Sequence, residues 1–189
     1  MELRSGERVA VLTADGRQLR APVVNERSVR AAAGITMVIG AVAFSYAYFD
    51  QQYVPLQAAA TLFFLEFLVR LTFGIGYSPV GLLARATTAG QPPEWASAKP
   101  KRFAWTLGLV MAGAMTAITN SGVRGYLPRS ICLICLTLMW MESALGVCLG
   151  CKIHRLLVRH GRARTDPDIE VCADGACEPG PVPLEPGIG

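Results

Sequence analysis

Four long apolar stretches follow one another along the chain, and polar connections separate them. A helix that crosses a bilayer needs about 20 predominantly apolar residues. The four stretches are residues 31–49, 54–73, 103–120 and 131–151. The pattern therefore predicts an all-α membrane protein, a bundle of four transmembrane helices over residues 31–160.

Composition supports this fold class, because 52% of the 189 residues are hydrophobic and only 17% are charged. No separate soluble domain is expected. Residues 1–30 lack a long apolar run, so they do not read as a cleavable signal peptide. An Asp15-Gly16 step between part-apolar runs indicates a small hairpin there. Residues 161–189 are acidic and rich in Pro and Gly, which predicts a flexible tail.

Basic residues in the connections predict the orientation. The connection 50–53 has no Lys or Arg, and the connection 121–129 has two. The connection 74–102 has four, and more follow the last span. By the positive-inside rule, both termini lie in the cytoplasm and the protein is a multi-pass protein of the cell (inner) membrane. The net charge of +4 then reflects topology and contact with the lipid bilayer, and no nucleic-acid partner is expected.

Two CxxC pairs are the main candidates for chemistry: Cys132 with Cys135, and Cys148 with Cys151. This spacing is also that of a zinc ribbon, which requires the chain to fold back between the pairs. The intervening residues 136–147 are apolar with one Gly, which favours one continuous helix. At ~1.5 Å per residue the pairs would lie about 24 Å apart, at opposite membrane faces. No zinc site is therefore expected.

The two pairs are expected to differ in reactivity. Ser130 is the predicted cap of the last span, so Cys132 and Cys135 would lie in its first turns on the outer side. Free N–H groups there stabilise a thiolate, which makes Cys132 the more reactive thiol. Cys148 and Cys151 would lie at the opposite, less favourable end of the same helix. Packing residues remain the alternative for the outer pair, and a soft cation such as Cu(I) for the inner pair.

Three charged residues lie inside the predicted spans. Glu66 and Arg70 are spaced i, i+4 in the orientation that favours an ion pair. Glu142 lies at a similar depth on the fourth span, so it would share a proton with Glu66 or also use Arg70. Both a proton or substrate path and a structural clamp between the two helices fit these residues.

Other candidate groups lie beyond the last span. Cys172 and Cys177 on the tail could reach the inner pair through the flexible connection, or could be incidental. His154 and His160 lie among basic residues and are expected to be solvated.

Four short motifs resemble a known family. They are Asn25-Glu-Arg27, Ser78-Pro79-x-Gly81, Lys101-Arg102-Phe103, and Glu142 followed by Gly146-Val-Cys148-Leu-Gly-Cys151. Together they resemble the family called domain of unknown function 4395, a four-helix bacterial membrane domain ending in CxGC. The resemblance implies handling of thiols or sulfane sulfur alongside thioredoxin-like or sulfurtransferase proteins. By position, Glu142, Cys148 and Cys151 match the motif of that family. Cys132, Cys135 and the tail cysteines look like additions to it.

The position of the outer pair is also similar to vitamin K epoxide reductases, which place a CxxC at the outer start of the last helix of a four-helix bundle. The shuttle cysteines of that family have no counterpart in this chain.

Three functional hypotheses follow. The first is a membrane thiol–disulfide or persulfide relay through the CxxC pairs. The second is a carrier for a sulfur oxyanion or soft metal ion, with Arg70, Glu66 and Glu142 along the path and a homodimer enclosing it. The third is a scaffold without turnover. Whether the protein is an enzyme, and which cofactor it would use, does not follow from the sequence.

Overall fold

The computed structural model describes residues 8–12 and 18–160, and six α-helices dominate them. The helices are α1 (Glu26–Phe49), α2 (Val54–Thr72), α3 (Pro79–Thr87), α4 (Ala98–Asn120), α5 (Tyr126–Leu145) and α6 (Leu149–Arg159). Four of them, α1, α2, α4 and α5, are long and apolar enough to cross a membrane. The predicted four-helix membrane fold is thereby confirmed.

A small antiparallel sheet joins the beginnings of two of these helices. Its strands are β1 (Arg8–Leu12), β2 (Gln18–Asn25) and β3 (Trp95–Ser97), in the order β1-β2-β3. β2 leads directly into α1 and β3 directly into α4, so the sheet holds the starts of α1 and α4 together. The strands flank the predicted hairpin at Asp15-Gly16, whose turn residues lie outside the described part, as do residues 161–189.

The long helices pack mainly as α1 on α5 and α2 on α4, and α1 also contacts α2. We call the end with the connections 50–53 and 121–125 the far end, and the opposite end the α6 end. Small residues permit close packing: a Cβ on Gly108 of α4 would lie only 2.8 Å from the Phe67 ring of α2. Many apolar side chains face outward, including Val38, Leu65 and Val110, as expected of helices in lipid.

The connection between α2 and α4 lies at the α6 end and contains a 3₁₀ turn and the short helix α3. A 3₁₀ turn (Ile75–Tyr77) leads to Ser78, whose hydroxyl caps α3 by accepting a hydrogen bond from the Gly81 N–H at 3.0 Å. A Cβ on Gly81 would lie 2.0 Å from the Ile75 carbonyl oxygen, so this turn requires glycine. Leu82 and Leu83 remain exposed on α3.

The fourth predicted span is wrong in both its bounds and its continuity. α5 begins at Tyr126, earlier than expected, and ends at Leu145. Gly146 follows in the left-handed conformation, with φ +66°, the usual residue for ending a helix. The chain then turns, and α6 starts after Cys148. A single glycine therefore ends the helix that the apolar run 136–147 was expected to continue.

Candidate functional site

The second CxxC pair forms the beginning of α6. Cys148 is the N-cap, and its sulfur accepts a hydrogen bond from the Cys151 N–H at 3.3 Å. The Cα atoms of the two residues lie 5.2 Å apart and their sulfurs are at disulfide distance. Cys148 is half-buried, whereas Cys151 is only 8% exposed. One sulfur is thus accessible and the other protected.

Gly150 allows this arrangement because α6 packs closely on α4. A Cβ at Gly150 would lie 2.6 Å from the Ala104 Cβ and 2.8 Å from its Cα. The glycine between the two cysteines is therefore required by packing between helices. On the same side of α6, the His154 ring lies 5.4 Å from the Phe103 ring.

The structure reverses the expected environments of the two pairs. Cys148 and Cys151 lie at a helix N-terminus, where unpaired N–H groups favour a thiolate. Cys132 lies six positions after Tyr126 at the start of α5, beyond the first turn where such an effect operates. The predicted cap Ser130 lies inside the helix. The premise for a reactive Cys132 is therefore wrong.

The first pair instead lies in the wall of the bundle. Cys132 and Cys135 are free thiols, the first buried and the second half-buried. Cys132 packs in an apolar cluster at the far end with Ala47, Tyr53 and Leu56. Arg129 lies over the Tyr48 and Tyr53 rings, at 5.7 and 5.6 Å. This environment matches the packing alternative for the first pair.

A buried ion cluster at the α6 end joins three helices. Lys101 of α4 donates to Glu26 of α1 at 2.7 Å and to Glu142 of α5 at 2.6 Å. The Lys101 side chain is 7% exposed and the two carboxylates 15% and 12%. We call these three residues the Lys101 cluster. The expectation that Glu142 uses Arg70 or shares a proton with Glu66 is therefore wrong.

The predicted Glu66–Arg70 ion pair is present. Arg70 Nε donates to Glu66 Oε1 at 2.9 Å, and both side chains are buried. Glu66 Oε2 also accepts the Val80 N–H at 3.4 Å, which ties α2 to the start of α3. Arg70 Nη2 lies 2.9 Å from the same oxygen, so the guanidinium is paired with the Glu66 carboxylate through two of its nitrogens.

Sequence reasoning missed Lys101 as the buried partner of Glu142, and Glu26 as the second carboxylate that Lys101 binds. Both lie in motifs that carry the family resemblance, Asn25-Glu-Arg27 and Lys101-Arg102-Phe103. The other two motifs also lie at the α6 end. Ser78-Pro79-x-Gly81 forms the cap of α3, and Cys148-Leu-Gly-Cys151 forms the start of α6. The shared motifs were therefore the available signal that distant residues form one structure.

A cavity of about 160 Å³ runs between the long helices and connects these elements. Its walls are largely apolar. The residues of interest among those lining it are Cys132, Cys135, Arg70, Lys101, Glu142 and Cys148. The structure thus brings most of the predicted site residues to one cavity, while Glu66 reaches it only through Arg70.

The remaining candidate residues, two histidines and two tail cysteines, differ in their surroundings. His154 is buried, with an Nδ1 atom that has no hydrogen-bond partner among the described residues, so the expectation that it is solvated is wrong. His160 is exposed. Cys172 and Cys177 lie outside the described residues. Within the described ranges, no group of three or more His, Cys, Asp or Glu side chains is placed to hold a metal ion.

Comparison with known proteins identifies a family. The profile of a family described as "Domain of unknown function (DUF4395)" matches residues 24–159. No curated protein and no solved structure matches the chain, so the similarity to vitamin K epoxide reductases is not shown.

Proposed function

The chain belongs to the family described as "Domain of unknown function (DUF4395)", and on that premise we propose that it exchanges thiols and disulfides, or persulfides, at Cys148 and Cys151. The observation that carries the proposal is the position of Cys148. It caps α6 while remaining half-buried, next to the buried Cys151. An accessible sulfur at a helix N-terminus is the usual setting of a reactive cysteine.

The two cysteines have different roles in this proposal. The Cys148 thiolate attacks a disulfide of a partner, so one S–S bond forms as another breaks, and the partner's second sulfur leaves with the electron pair. Cys151 then attacks the Cys148 sulfur and releases the partner as a dithiol. The protected position of Cys151 suits this second, intramolecular step.

Thioredoxin-like and sulfurtransferase proteins are the proposed partners. Replacing Cys151 with serine removes the resolving thiol, so a mixed disulfide between Cys148 and its partner should persist. We expect non-reducing gels of cell membranes to show a thiol-sensitive adduct in Cys151→Ser and none in Cys148→Ser. Mass spectrometry of the adduct identifies the partner.

The matched control is Cys135→Ser, which removes a thiol that the proposed exchange does not use and should leave the native pattern unchanged. An adduct that forms equally in Cys148→Ser, or no adduct in any variant, would contradict the proposal. The absence of an adduct in every variant would favour a scaffold without turnover.

We further propose that the α6 end faces the cytoplasm of a cell (inner) membrane, as the distribution of basic residues indicates. In a chain without native cysteines, a cysteine introduced at the exposed Ser121 should react with an impermeant maleimide in intact cells. One introduced at the exposed Thr87 should react only after the membrane is opened. The reverse labelling pattern would refute this orientation.

The carrier hypothesis has less support from the geometry. The cations that line the cavity are already paired, Arg70 with Glu66 and Lys101 with two carboxylates. An oxyanion would have to displace a buried carboxylate to bind there, which is costly. These ion pairs fit a clamp between helices better than a path.

A further inference from the structure

The cavity between the long helices reaches the reactive end of α6. Cys148 forms part of its wall together with apolar and aromatic groups, among them Ala33, Phe67 and Trp105. Its volume of about 160 Å³ is close to that of engineered apolar cavities of about 150 Å³, which bind benzene. The cavity extends along the bundle from Cys132 to Cys148, and its total volume is sufficient for a small apolar molecule.

Cys148 contacts two environments, the outside of the bundle and the cavity. It is half-buried at the α6 end, and it also lines the apolar interior. A protein partner can approach only from the outside of the bundle, whereas a small apolar molecule can approach from within. The cavity thus gives the same cysteine a second approach.

We propose that the cavity binds a small apolar disulfide or thiol, which exchanges with Cys148 from inside the bundle. This inference rests on the proposed exchange at Cys148 and Cys151, and it names a second substrate class for that site. In this way the pair would connect a membrane-soluble thiol compound with a water-soluble partner.

The reaction balances without any further reagent. The Cys148 thiolate attacks one sulfur of the bound disulfide, and the other sulfur leaves with the bonding electron pair. Cys151 then attacks the Cys148 sulfur and displaces the second half of the substrate. The protein dithiol becomes a disulfide, the substrate becomes two thiols, and the two protons of the cysteines pass to those products.

The test compares two reagents that form mixed disulfides by the same chemistry. Benzyl methanethiosulfonate is apolar, and sulfonatoethyl methanethiosulfonate is charged. Both are applied to the full chain in lipid nanodiscs, with Cys148 as the only cysteine, and adducts are followed by mass spectrometry. The reference is a chain whose only cysteine is introduced by Leu156→Cys, on the exposed face of α6.

We expect the ratio of the benzyl rate to the sulfonatoethyl rate to be at least tenfold higher at Cys148 than at the reference position. Ala33→Leu fills part of the cavity and should slow the benzyl reaction at least tenfold, without changing the sulfonatoethyl reaction. The matched control is Ala41→Leu on the exposed face of the same helix, which should change neither rate.

Competition provides a measurement that needs no substitution. Toluene should protect Cys148 from the benzyl reagent but not from the charged one.

Equal rate ratios at Cys148 and at the reference position, with no protection by toluene, would overturn the cavity site. That result is independent of the mixed disulfide expected in Cys151→Ser. Loss of the adduct with an intact benzyl preference would instead remove the protein partner and leave the cavity site in place.

Discussion

Replacing Lys101 with methionine should lower the free energy of unfolding by about 3–5 kcal/mol, the usual cost of removing one partner from a buried ion pair. The substitution leaves Glu26 and Glu142 facing one another with no cation between them. Since Glu26, Lys101 and Glu142 lie on α1, α4 and α5, these helices should separate at a lower denaturant concentration than in the native chain. Denaturant unfolding in detergent micelles, followed by tryptophan fluorescence, measures it.

Two variants control for the change of side chain. Lys152→Met alters an exposed lysine on α6 and should cost no more than about 0.5 kcal/mol. Adding Glu26→Gln and Glu142→Gln to Lys101→Met removes the uncompensated charges and should restore most of the stability. A loss no larger than that of Lys152→Met would show that the Lys101 cluster contributes little.

Replacing Gly150 with alanine should separate α6 from α4 and expose the second cysteine of the pair. The new Cβ would lie 2.6 Å from the Ala104 Cβ, so one helix must shift, at a cost of about 1–3 kcal/mol. After mild reduction, we expect Cys151 to react with maleimide at least tenfold faster than in the native chain. Labelling rates resolved by mass spectrometry measure the change.

The compensating change lies on the opposing helix. Ala104→Gly removes the methyl group at 2.6 Å but leaves the Cα of residue 104 at 2.8 Å, so the pair Gly150→Ala with Ala104→Gly should recover only part of the protection of Cys151. If Gly150→Ala alone leaves both stability and labelling unchanged, α6 is not held against α4 in the way that the structure indicates.

The sequence by itself determined the features that depend on local chemistry. Four apolar stretches predict four spanning helices because the bilayer thickness sets their length. The pair Glu66 and Arg70 forms because residues four apart are neighbours on any helix. The start of α3 is local as well, since the Ser78 side chain caps the backbone N–H of Gly81 three residues later.

The end of α5 is also a local feature, although the hydrophobic pattern predicted a continuous helix there. Gly146 is the one helix-ending residue in the apolar run 136–147. The prediction gave more weight to the hydrophobic pattern around it than to this glycine. Positive φ at a glycine is inexpensive, so one residue was sufficient to end the helix. The consequence was large, because it moves Cys148 from the end of one helix to the start of another.

Only the tertiary structure decided which distant groups meet. Glu142 and Glu26 both pair with Lys101 because the ends of α1, α4 and α5 come together, which no spacing within one helix can predict. The need for glycine at position 150 likewise depends on Ala104 of a neighbouring helix. Burial of a charge or a close contact depends on residues far apart in the chain, so hydrophobic period and capping could predict the helices but not the site between them.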